Sequence, residues 1–396
     1  MSDLLSEAQS LFDYTQSIRR DLHMHPELGF QEVRTAGIVA RELQALGLEV
    51  TSGVAQTGVV GLLEGSRPGP VVLLRFDMDA LPITEETGAA YASTVPGVMH
   101  ACGHDGHTAI GLTVARLLHA HRADWAGTVK FVFQPAEEGP CGQETGGNEA
   151  MLREGLLSNP KPDLALALHL WNEQPLGWIH AAAGPIMAGA EEFKITVTGQ
   201  GGHGALPHRT ADPLLAACQI VTALQSVVSR NVAPLEAAVV SVTMLHAGQA
   251  FNVIPPEAEL QGTIRTFEPA VRETVLQRFE AIAQGVAAAM GCRAEVRVKR
   301  VTPAVINAAD IAQGVQAAAR RVLPDAHLDT SSHLTMGAED MAFTLEQIPG
   351  CYFFVGSANR ARGLDYGHHH PKFDFDEAAL PRAAAWMAEA AMGFLS

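Results

Sequence analysis

Cys102 and His104 stand two residues apart in MHACGHDGH, Met99 to His107, the densest collection of metal-binding side chains in the sequence. On a turn, a thiolate and an imidazole at that spacing can face one cation, the sulfur soft and the nitrogen borderline. A buried cysteine beside a helix-capping histidine would read the same way, so these residues alone leave both open. Glu137 and Glu138 lie in FQPAEEG, which ends at Gly139 and follows an apolar run. Adjacent carboxylates repel each other, and burying both is costly without a cation to compensate. One can coordinate while its neighbour accepts a proton from water; a solvated pair in a loop is the alternative. His169 closes the apolar run Leu164 to Leu168, and His368, His369 and His370 precede Pro371. Singly, the core reading of His169 and the surface-tract reading of the His run each outweigh the ligand reading. Together, one Cys, several His and a Glu after separate elements make a ligand inventory for two metals sharing a bridge.

The elements that must position these groups are legible in the hydrophobic pattern. Helical spacing runs over 3 to 22 and from Val33 to Leu46, and again from Thr108 to His121. Nearly continuous apolar runs at Val59 to Leu63, Val71 to Phe76, Val129 to Gln134 and Leu164 to Leu168 suit strands covered on both faces. That alternation is α/β, with chemical groups expected where strands end. The middle changes character: alternating strands near 192–199, 237–245, 258–267 and 293–301 enclose helices at 212–229 and 270–290. The order β-α-β-β-α-β is the ferredoxin-like signature, here an insertion, because α/β elements resume at 309–322, 351–355 and 377–394. The expected organisation is a discontinuous main domain, 1–186 and 302–396, with a covered mixed sheet, and a smaller inserted domain, 187–301. Glu339 and Asp340 are expected to begin a helix, where acidic side chains suit the dipole.

Composition narrows the function. At about 150 residues per domain, the chain predicts two or three domains. Its 27 basic and 43 acidic residues give a net charge of -16, which repels nucleic acid and anionic membrane surfaces. No uninterrupted apolar stretch reaches the ~18 residues of a spanning helix. The start carries Asp3 and Glu7 and no basic-then-apolar signal, so the expected location is the cytoplasm. Cys102, Cys141, Cys218, Cys292 and Cys351 are spaced too irregularly for a disulfide framework.

With LHMHPELGFQE (Leu22 to Glu32), DMDALP (Asp77 to Pro82), GGHGALPH (Gly201 to His208), FNVIP (Phe251 to Pro255), GTIRTF (Gly262 to Phe267), MGAEDMAF (Met336 to Phe343) and HHPKFDF (His369 to Phe375) added to the two segments above, the chain resembles a known family. It is similar to the hippurate hydrolase, N-acyl-amino-acid amidohydrolase and auxin-conjugate amidohydrolase branch of the dinuclear metallopeptidases. The resemblance runs in order along nearly the whole chain. It implies Cys102, His104, Glu138, His169 and His369 as metal ligands and Glu137 as general base. It implies His203, in the inserted lid and dimerisation domain, as the group that polarises the scissile carbonyl, commonly from a partner subunit. Asn252 and Arg265 match positions that hold the substrate carboxylate or close the site. Where many relatives of the wider clan place a ligating His, this chain has Asp77, and Asp79 is expected to orient a ligand rather than bind metal. His100, His107, His368 and His370 are neighbours without a ligand role.

The resemblance implies two divalent ions per subunit, zinc or manganese, with cobalt or nickel possible, and a homodimer or higher homo-oligomer. The expected reaction is hydrolysis of the amide of an N-acyl-L-amino acid. Glu137 takes the proton of the attacking water and returns it to the departing amine, while His203 helps steady the oxyanion. Arg265 offers its fork to the substrate carboxylate. The alternatives are a metallo-carboxypeptidase or dipeptidase with the same site, a hydrolase with Cys102 as nucleophile, and a non-catalytic metal-dependent binder.

Overall fold

The apolar runs of the first half become strands of one mixed sheet in the computed structural model, which describes residues 3–395. Four strands, Thr128–Gln134, Val71–Asp77, Leu164–Pro175 and Gly350–Ala358, run parallel side by side at its centre. Glu49–Val54 and Gly58–Glu64 form an antiparallel hairpin at one edge. At the other edge Trp178–His180 runs antiparallel to Gly350–Ala358, followed by the parallel strand His327–Asp329. Every residue from Leu164 to Asn172 is buried, as a strand covered on both faces requires. The helix His104–Ala120 packs on this sheet and buries Ile110, Val114, Leu117 and Leu118. Ala379–Phe394 packs against it, Trp386 and Phe353 meeting with ring centroids 4.3 Å apart.

Two compact units result: residues 3–184, 306–333 and 340–395 form the first, and Pro185–Val305 with Leu334–Glu339 form the second. The short Leu334–Glu339 piece joins the second unit through its backbone. Thr335 N donates to Ile186 O, and Ala188 N to the carbonyls of Thr335 and Gly337.

The second unit follows the order Gly189–Thr198, Pro213–Asn231, Ala238–Ala247, Glu257–Thr266, Pro269–Ala289, Arg293–Thr302. Its four-stranded antiparallel sheet is ordered Ala238–Ala247, Glu257–Thr266, Gly189–Thr198, Arg293–Thr302, the ferredoxin-like arrangement. Alternation in Gly189–Thr198 puts Phe193, Ile195 and Val197 into a core of their own with Ile220, Leu224 and Phe279. Asp212 accepts from Leu214 N and Leu215 N at 3.0 and 3.2 Å, capping the first of the two helices.

Two expectations change. The stretch 3–22 forms two helices, Leu4–Ser10 and Phe12–Met24, broken at Leu11. Glu339 and Asp340 fall just before the helix: it starts at Ala342, and the Asp340 carboxylate, rather than facing the helix end, is buried against Arg75, Gln134 and Asn148. Among the described residues no helix is long and apolar enough to cross a membrane. All five cysteines are free.

Candidate metal centre

The carboxyl ends of the central parallel strands carry the chemistry, as open α/β sheets dictate. Asp77 ends Val71–Asp77, and Pro135 to Glu138 follow Thr128–Gln134. His169 sits within Leu164–Pro175, His104 is the first residue of His104–Ala120, and Cys102 precedes it. His369 is held in the left-handed region at φ 64°.

The five ligands implied by resemblance come together. Ligand atoms of Cys102, His104 and His169 lie within 4.8 Å of one another, as do those of Cys102, Glu138 and His369, and those of His104, Glu137 and Glu138. Cys102 Sγ is 3.5 Å from His169 Nε2, and His369 Nε2 is 3.0 Å from Glu138 Oε1. Asp79 touches two of the group: His104 Nδ1 donates to its backbone oxygen at 3.0 Å and to Oδ1 at 3.1 Å, and Oδ2 accepts from Glu138 N at 3.0 Å.

A fourth imidazole, His107, also lies within 4.8 Å of Asp77 and His104. Its Nδ1 donates to Asp77 Oδ1 at 2.6 Å and its Nε2 accepts from Leu170 N at 2.9 Å, so neither nitrogen is left for a cation. Asp77 is equally committed, its other oxygen accepting from Arg75 at 2.6 Å. The spacing alone does not bring out His368 as a partner of the thiol. Its Nε2 accepts from Asn172 N at 3.3 Å, which leaves Nδ1 as the donor toward Cys102 Sγ at 3.8 Å.

The electrostatics call for positive charge. Burial and the carboxylates of Glu138, Glu137 and Asp77 push the Cys102 thiol well up. Burial opposes protonation of His104, but Asp77, Asp79 and Glu138 outweigh it and raise the imidazole to about 10. His169, buried among other histidines, is held neutral, well below its ordinary value. His104 Nε2 is buried and has no hydrogen-bond partner among the described residues, while its Nδ1 is tied to Asp79. That nitrogen, grouped with a thiol, two further imidazoles and a carboxylate, fits a soft or borderline divalent ion.

The remaining predicted residues belong to the second unit. His203 lies in Gly202–His203, paired with Val253–Ile254, and Gly204 N donates to Asn252 O at 2.8 Å, so His203 and Asn252 are neighbours. Ala205 N donates to His203 Nδ1 at 3.0 Å, which assigns the ring proton to Nε2. Arg265 lies apart on Glu257–Thr266, opposite Val239 and Ala190, and its guanidinium donates to Thr263 Oγ1 and Ile264 O.

Residues 73–393 match the model of peptidase family M20/M25/M40. The chain belongs to that family. This M20 chain is 40% identical to the N-acetylcysteine deacetylase of Bacillus subtilis, covering 95% of each chain. It is 45% identical to the N-acyl-L-amino acid amidohydrolase of Geobacillus stearothermophilus over 73% of this chain and 76% of that one. Its structure matches that of a Bacillus subtilis dinuclear metal-binding peptidase of the M20 family with a TM-score of 0.86 and 36% identity, covering 98% and 99% of the two chains. The M20 chain is a metal-dependent amide hydrolase, and its α/β fold with a ferredoxin-like insert is that of its relatives.

Proposed function

We propose that the chain hydrolyses N-acyl-L-amino acids to a carboxylic acid and a free amino acid, using two divalent ions, zinc or manganese, held by Cys102, His104, Glu138, His169 and His369. The convergence of these five side chains, with Glu137 beside His104 and Glu138, carries the reading. The names of the deacetylase and amidohydrolase relatives support the substrate class. Bound there, divalent ions lower the pKa of water from 15.7 toward about 7 and polarise a carbonyl. Glu137 stands at the rim of the cluster, its Oε2 3.9 Å from His104 Nε2. Its carboxylate accepts the proton of the attacking water and delivers it to the departing amine nitrogen. His203 presents Nε2–H as a donor for the developing oxyanion, and Asn252 and Arg265 receive the substrate carboxylate. His203 acts within a homodimer or larger homo-oligomer built through the inserted unit. The acidic net charge of -16 disfavours nucleic acid and anionic membranes as partners. A thiol ligand and four further free cysteines suit a reducing compartment, and we place the enzyme in the cytoplasm.

The test is a panel of N-acetyl-amino acids, N-benzoyl-amino acids and dipeptides, run with each of zinc, manganese, cobalt and nickel. The expected result is kcat/KM at least about tenfold higher for the N-acyl-amino acids, a margin of about 1.4 kcal/mol in transition-state binding. The reverse order would assign a dipeptidase. Glu137→Gln is expected to lose about 10²–10⁴ in kcat with metal content unchanged. Retained turnover would remove Glu137 from its role.

A further inference from the structure

The segment Leu22–Glu32 contributes no residue to the metal cluster, yet it ends on a buried carboxylate that lies against the Glu137 turn. Glu32 is 0% exposed and occupies the N-cap position of the helix Val33–Ala45 without making a side-chain cap bond. Glu27 does that work instead, accepting from Arg34 N and Thr35 N at 2.9 and 2.8 Å. The Glu32 carboxylate reaches elsewhere: Oε1 accepts from Ala136 N at 2.9 Å, and Oε2 accepts the Thr57 hydroxyl at 2.5 Å. Ala136 immediately precedes Glu137 and lies in the left-handed region at φ 47°, where an L-residue is strained.

The turn is therefore clamped on both sides of Glu137: Ala136 by Glu32, and Glu138 by Asp79 at 3.0 Å. Gly29 completes the clamp, because its backbone lies directly on the turn. A Cβ at Gly29 would stand 2.9 Å from Ala136 Cβ and 2.8 Å from Cys141 Sγ. Keeping a carboxylate here is costly; burial, with Asp79 nearby, pushes Glu32 up to about 7. Costly buried carboxylates next to reacting groups are a recurrent mark of functional positions.

We infer that Glu32 is a positioning residue for Glu137, holding the left-handed turn whose geometry sets where the Glu137 carboxylate stands. The inference rests on Glu137 being the general base. Misplacing a reacting group by about 1 Å costs on the order of 10²-fold, so that is the size of effect expected.

The test uses the full-length, metal-loaded enzyme and the fastest N-acyl-L-amino acid of the panel above. Glu32→Ala is expected to lower kcat by about 10²-fold, with KM within about twofold and metal content unchanged. Glu32→Gln retains an oxygen for Ala136 N–H and an amide that can donate to Thr57, and is expected to return kcat to within about fivefold of the native value. Native kcat in Glu32→Ala, a loss of metal parallel to the loss of kcat, or a Glu32→Gln as slow as Glu32→Ala would each overturn the inference. Should Glu32→Ala not fold, Gly29→Ala displaces the same turn without touching Glu32. A lowered kcat at native KM then supports the inference, and native kcat overturns it. Glu137→Gln run alongside separates the two levels. If it stays active, the general-base reading fails; if it is dead while Glu32→Ala is native-like, only the positioning role fails.

Discussion

Five imidazoles crowd the centre, and His104, His107, His169 and His368 sort by whether, with the ring nitrogen facing away from it engaged, the other is left free. A ligating histidine ordinarily donates that N–H to a carboxylate or backbone carbonyl, which fixes the tautomer and raises basicity. His104 does this through Asp79, and His169 through Leu170 O at 2.7 Å, leaving each Nε2 facing the cluster. His107 has both nitrogens engaged, and His368 has one on Asn172 and the other directed at Cys102. His169→Ala is therefore expected to lower bound metal to about half or less, a drop in affinity of at least the 10–100-fold seen for weaker perturbations. His107→Gln should keep its full complement, with elemental analysis of the purified proteins as the measurement. The C-x-H spacing made Cys102 and His104 legible beforehand. It could not separate His104 from His107, three residues apart and facing one side of the same helix, because the distinction lies in Asp77 and Leu170, far off in sequence. Glu32 escaped for a similar reason: its partners are the backbone N–H of Ala136 and the hydroxyl of Thr57, both far off in sequence.

Helix and strand positions followed the hydrophobic pattern closely where elements were long, and failed where function interrupted it. The apolar run ended at Leu168, but the strand continues to Pro175, because polar His169, at the metal cluster, and Asn172, whose amide donates to Tyr366 O and Asp374 O, are part of it. The strands Trp178–His180 and His327–Asp329 are too short to show a period at all. Close approach of elements was likewise invisible. Gly111, in His104–Ala120, lies where a Cβ would meet Phe76 at 2.7 Å and Phe133 at 2.8 Å. Both rings are fully buried, their centroids 5.5 Å apart, and neither has room to yield. Gly111→Ala would gain about 1 kcal/mol of helix propensity, but overpacking costs about 1–3 kcal/mol where the neighbours are rigid. The expected outcome is a net loss of stability in urea denaturation with an unchanged m-value. A gain would mean the rings shift freely.

Across the first unit, a buried ion network ties distant parts of the chain together. Arg19, fully buried, meets Asp105 at 2.8 Å, Asp374 at 2.7 Å and Glu377 at 3.2 Å. His23 joins it, its nitrogens 2.8 Å from Asp105 and 3.3 Å from Glu85. Burial and Arg19 oppose protonation of His23, but Asp105 and Glu85 outweigh them and hold it above its ordinary 6.5. A raised histidine contributes stability that is complete below 6.5 and lost as pH rises through the raised value. The melting-temperature advantage over His23→Gln should therefore be largest in mild acid and shrink toward alkaline pH; a pH-independent difference would contradict a charged His23. The two units also differ in how the chain supplies them. Ala190 and Thr302 are register partners, so the insert starts and finishes at one spot. The main sheet, by contrast, needs Gly350–Ala358 between Leu164–Pro175 and Trp178–His180. During synthesis, then, the ribosome completes nearly all of the insert before it makes the strand that the older half awaits. Nascent chains arrested once residue 305 has cleared the exit tunnel should already resist protease across 185–305 while the preceding segment is still digested, making the later-born part of the molecule the first to mature.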